Sequence, residues 1–146
     1  MTQETVIHDL NKSDIENVCR ELLSASQGVL SWKWDSRFET VLAEFSADSE
    51  DRVRAILECY LSIAWDRSNI RKAPDIVRTI VSNFGGLRSG QLLFTSDPNQ
   101  DVFIFGVWWP WGGGKTISIR VAPFDKRLSG SEMAEFIKLF KGWFGL

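Results

Sequence analysis

Histidine is nearly missing from this sequence, with His8 the single one in 146 residues. That scarcity removes most nucleophilic triads, histidine-assisted general-base chemistry and histidine metal sites. Cysteine is scarce too, with Cys19 and Cys59 alone, so no disulfide framework is expected. Both fall in helical patterns with no histidine to activate them, which reads as inert core thiols. No apolar run approaches the ~18–20 residues that a membrane span needs, so no stable membrane anchor is expected. The first twelve residues are polar and lack the apolar stretch of a secretory signal. They are expected to form a frayed segment, ahead of one globular domain over 13–146, and the cytoplasm is the expected compartment. Strong charge of one sign is also absent. The net charge is −2, with 13 acids and 9 bases up to Pro74 (−4) and 6 acids and 8 bases from there on (+2). No basic stripe able to neutralise several phosphates appears, so nucleic acid is not an expected partner. Arg67, Arg71, Lys72 and Arg78 form the densest basic stretch and read as a solvated surface.

What is present is an ordinary globular composition, 44% apolar and 25% charged. A chain of this length buries about 70% of its unfolded surface without staples. Ser13 and Glu16 form a capping box ahead of a helical stripe over 13–25. Residues 29–46 fit a hairpin turning at Asp35 and Ser36, although Phe38, Val41, Leu42 and Phe45 also fit a helix. Val53, Ile56, Leu57, Tyr60, Leu61 and Ala64 predict a helix over 49–66. Another begins at Pro74, a residue suited to the first helical turn, and ends at Gly85 and Gly86. The period then changes to two over 91–95, 102–109 and 116–122. A last helix over 131–143 has Ser129 and Glu132 as its capping box. The fold expected is α+β, an antiparallel sheet of three to five strands with a C-terminal three-stranded meander, packed with about four helices.

Two motifs invite a catalytic reading and fail on spacing. Gly112-Gly113-Gly114-Lys115-Thr116 looks like the end of a phosphate loop. Trp109 stands where the first glycine belongs, and a β-branched strand follows where a helix is required. Asp97, Asn99 and Asp101 match the start of a calcium loop, but Val102 replaces the obligatory glycine and Trp108 the bidentate glutamate. Both segments read as turns. Glu58, Asp66, Asp75, Asp97, Asp101 and Asp125 could serve a carboxylate-only mechanism, and nothing in their spacing joins any two. No cofactor is expected.

The remaining signal is aromatic. Tryptophan supplies 7 of 146 residues, and Trp108, Trp109 and Trp111 cluster around Pro110. On a strand Trp108 and Trp109 point to opposite faces, so one can be core while the other is exposed beside Lys115 and Arg120. The segment from Phe136 to Phe144 has the pattern of an amphipathic helix, with Trp143 and Phe144 docked on the sheet or offered to a partner. In size and acidic composition the chain resembles the immunity proteins with which bacteria neutralise toxins, and, as a close relative, the acidic α+β secretion chaperones. The resemblance implies a non-catalytic domain that binds one partner protein, with Glu39, Glu44, Asp48, Glu50, Asp51 and Glu58 facing a basic cleft. For a chaperone it implies a homodimer. The partner-binding set expected is therefore Trp108, Trp109, Trp111, Lys115, Arg120, Glu44, Asp48, Glu50 and Asp51. The competing expectation is a small-molecule-binding domain or carboxylate enzyme with a tryptophan-lined pocket, using Arg88, Gln91 and Arg120.

Overall fold

The structure, a computed structural model, describes residues 2–146, with side chains from residue 14 onward. The side chain of His8 lies outside the described residues. The first helix, α1, runs Thr2–Ala25 and so begins eleven residues ahead of the expected start at Ser13: residues 2–12 are helical where a frayed segment was expected, and Ser13 and Glu16 lie inside the helix and not at its cap. Its Ile15, Cys19 and Leu22 are buried along the stripe read from the sequence. Leu30 then leads into a hairpin of β1, Lys33–Asp35, and β2, Thr40–Ser46. The strand reading of this segment holds. The Asp35 carboxylate accepts the Arg37 amide at 3.1 Å, which fixes the turn, and Glu39 closes it with a left-handed φ of 55°.

A short 3-10 helix, Ala47–Ser49, opens into α2, Glu50–Glu58. Here the structure corrects the expected helix over 49–66. The helix stops eight residues early, and Ile63–Trp65 becomes strand β3. Tyr60, Leu61 and Ala64 keep helical spacing, but pairing with a neighbouring strand overrides it. The Trp65 indole N–H donates to Thr95 Oγ1 at 3.0 Å, a contact made across the sheet. Next come α3, Asp75–Asn83; β4, Leu92–Thr95; β5, Val102–Trp111; β6, Thr116–Asp125; and α4, Gly130–Trp143. The α4 capping box is formed as expected, with Ser129 and Glu132 each satisfying the other's backbone amide.

The six strands among the described residues form one antiparallel sheet, ordered β1-β2-β6-β5-β4-β3. The fold is α+β as expected, with six strands instead of three to five. The run β4-β5-β6 is continued on one side by β3 and on the other by the β1–β2 hairpin. One face carries Val41, Ala43, Phe45, Ile104, Trp108, Ile117, Ile119 and Val121, all buried. Helix α1 packs on β5 and α4 on β6, closing this main core with Phe136, Phe140, Trp143 and Phe144. Gly106 sits at its centre because a Cβ there would lie 3.2 Å from Ile119 Cδ1 and 3.3 Å from Leu61 Cδ2. The opposite face is covered over β4 and β5 through Phe84, beyond the end of α3, whose ring meets Phe105 and Trp109 at 6.0 and 5.7 Å. Toward β6, β2 and β1 this second face carries polar side chains.

Candidate binding surface

The β5–β6 turn is made of Gly112, Gly113 and Gly114, with φ of 63°, 72° and 85°. Three successive left-handed residues exclude any side chain with a Cβ without strain, which is why the sequence spends three glycines here. The Gly114 amide donates to the Trp111 carbonyl at 3.1 Å and closes the loop. A strand follows, so no helix amino end faces these glycines, in keeping with the turn reading. Asp97 likewise serves its own turn, accepting the Asn99 amide at 3.0 Å.

Strand alternation separates the tryptophans. Trp108 is only 2% exposed and packs edge-on against Phe45 and Phe94, at 5.4 and 5.7 Å. It belongs to the main core, which removes it from the expected partner-binding set. Trp109 and Trp111 lie on the second face. Trp111 is 50% exposed, the largest side chain among the described hydrophobics standing in water. It is nevertheless fixed, since its indole N–H donates to Ser118 Oγ at 2.8 Å. The Ser118 hydroxyl reaches Glu44 at 3.4 Å, and Glu44 accepts from Lys33 Nζ at 3.4 Å. A polar row thus crosses β5, β6, β2 and β1.

Arg120 anchors the second half of this surface. Its Nε lies 2.7 Å from Asp35 Oδ2, with the two side chains only 17% and 12% exposed. Its guanidinium stands 4.9 Å from the Trp109 ring and 5.3 Å from the Phe38 ring, a cation held against two aromatic faces. Burial pushes the Asp35 carboxyl up, but the Arg120 hydrogen bond and the amides of Arg37 and Phe38 outweigh it and hold its pKa below the ordinary value. Phe38 also stacks on Phe84 at 4.7 Å, so the β1–β2 turn is pinned over the sheet.

The acidic candidates gather at the Trp111 end of the sheet. Ser46 pairs with Thr116, and the Ala47 amide donates to the Lys115 carbonyl at 2.9 Å. Asp48, Glu50 and Asp51, all exposed, therefore begin beside the β5–β6 turn, next to exposed Lys115. Glu39 lies at the other end, in the β1–β2 turn, and Glu58 is spent on Arg54. The side chains proposed for a ligand pocket do not converge. Gln91 accepts the Arg88 amide, whereas Arg120 is committed to Asp35. The carboxylates are similarly engaged: Asp75 with Arg78, Asp66 with Ser68, and buried Asp125 with Arg127 at 2.8 Å. Cys59 departs from the core reading, being exposed at the end of α2, while Cys19 is buried and its thiol is pushed up mainly by that burial. Phe38 covers Arg120 from the β1–β2 turn, a role that its place in the sequence does not signal.

No family model, no curated protein and no solved structure matches this chain. No helix among the described residues is long and apolar enough to cross a membrane.

Proposed function

We propose that this chain is a non-catalytic protein-binding domain of the immunity or secretion-chaperone kind, acting in the cytoplasm. The observation that carries the reading is Trp111, half in water yet held by Ser118 on a rigid hairpin. A large aromatic fixed before binding loses little entropy when a partner covers it, which is how interface anchors gain their energy. Around it, Lys115, Glu44, Asp48, Glu50 and Asp51 supply a charged rim that steers association and selects the partner. Trp109 and Arg120 act one layer down, bracing the surface from which Trp111 stands.

The test is co-purification of a stoichiometric partner protein with the tagged chain, followed by calorimetry. Trp111→Ala is expected to weaken the complex by about 2 kcal/mol, roughly 30-fold. An unchanged affinity in this variant would refute the assignment of the surface. A dimeric mass of the free chain would favour the chaperone branch over the immunity branch.

A second reading rests on one specific feature, a groove of about 350 Å³ lined by Phe38, Phe84, Phe105, Phe124, Met133 and Ile137. Its size and apolar walls suit a small hydrophobic ligand, held by phenylalanine and not by the tryptophans first expected. Strong thermal stabilisation by a metabolite, lost in Phe84→Ala, would support this reading against the first.

A further inference from the structure

Ten arginines occur in the chain. Five of them, Arg20, Arg54, Arg78, Arg120 and Arg127, end on a carboxylate. The other five, Arg37, Arg52, Arg67, Arg71 and Arg88, have no carboxylate partner among the described residues, and the last three line one cleft of about 530 Å³. The loop after β3 and the 3-10 helix Ile70–Lys72 form one wall, and residues 88–90, ahead of β4, form the other. From sequence the first wall read as a solvated basic stretch. The fold adds Arg88 from a segment 17 residues beyond Arg71, and Ser89 and Gly90 with it.

The only acid in the lining is Asp66, whose Oδ1 accepts the Ser68 amide at 2.8 Å and the Asn69 amide at 3.2 Å. The Ser68 hydroxyl and these amides hold its carboxyl below the ordinary range, so its charge belongs to the turn. The lining sums to three positive charges and one negative, +2, in a chain whose net charge is −2. Three like charges on the residues lining one open volume repel, and an anion placed between them removes that cost. Guanidinium forks pair bidentately with oxyanions, and three of them offer more donors than one carboxylate can accept. A phosphate group, with three free oxygens and up to two charges, matches that supply.

We propose that this cleft is a binding site for the phosphate of a small phosphate ester. It is distinct from the Trp111 surface and does not depend on the protein-binding reading. The test titrates the full chain at low salt with AMP and with inorganic phosphate, followed by backbone-amide NMR. Saturable shifts confined to residues 66–71 and 88–90 are expected. Arg71→Gln and Arg88→Gln should each weaken binding about tenfold, and Arg52→Gln, an exposed arginine outside this cleft, should leave it unchanged. Affinity for AMP should rise between about pH 5 and 7 as the second phosphate proton, with pKa about 6, is lost, since arginine does not titrate there. Tighter binding of AMP than of phosphate identifies a nucleotide, and equal binding identifies the phosphate alone; either result supports the site. The proposal is overturned if neither ligand saturates, if both bind equally well to the Arg71 and Arg88 variants, or if only an acidic peptide or an oligonucleotide shifts these residues.

Discussion

Replacing Asp35 by asparagine removes one charge from the second face while keeping the shape of the side chain. Two unit charges about 4 Å apart attract by about 4 kcal/mol at an effective dielectric near 20. Desolvation of both groups offsets much of that gain in the intact pair, but loss of one partner leaves the other charge covered and unanswered. A fully buried pair costs roughly 3–5 kcal/mol to break in this way. Arg120 remains 17% exposed and keeps the faces of Trp109 and Phe38, so part of its charge stays stabilised. The expected destabilisation is therefore about 2–3 kcal/mol at neutral pH, or roughly 5–10 °C in Tm for a chain of this size. Urea unfolding measures it directly. The pH dependence supplies the sharper test. Because the folded Asp35 carboxyl titrates below its ordinary value, its contribution is complete above the unfolded pKa of about 4. It is lost as pH falls through the lower folded value, so the stability gap between wild type and Asp35→Asn should narrow in acid and close once the pH is below that folded value. A gap that persists unchanged in acid, or a cost under about 0.5 kcal/mol at pH 7, would refute the reasoning.

The two neighbouring tryptophans should respond differently. Trp108→Ala opens a cavity between Phe45 and Phe94 and should cost about 3–5 kcal/mol in urea unfolding. Trp111→Ala leaves no closed cavity and removes about 100 Å² of covered surface, so its cost should stay near or below about 2 kcal/mol. The cysteines should separate as well. In the native protein Cys59 should react promptly with a thiol reagent and Cys19 only after unfolding, so two fast thiols would contradict the placement of α1.

Local chemistry made most of the elements legible. Pro74, the Ser129–Glu132 box and the glycines at 85–86 and 112–114 act over a few residues, and the structure keeps each of them where the pattern placed it. The helix expected over 49–66 ends at Glu58, because helical spacing and a short strand share the same apolar residues over one turn. What decided against the helix was Thr95, thirty residues away, with its strand already hydrogen-bonded to β5. No window around Trp65 contains that partner.

The surface divides along the same line. The sequence by itself determined that Trp108 and Trp109 oppose each other, since a strand has a period of two, and that the glycine run before Thr116 is a turn. It also predicted a docked terminal helix but left open whether Trp143 and Phe144 are tucked in or offered to a partner, and the fold buries both. Only the tertiary structure decided which tryptophan faces the core, because that choice belongs to the helices α1 and α4, which cover one face and leave the other. Only the tertiary structure joined Asp35 to Arg120 across 85 residues, and Arg88 to Arg67 and Arg71 in one cleft. Charges interact through space, and the distance along the chain says nothing about that separation until the sheet has brought its strands together.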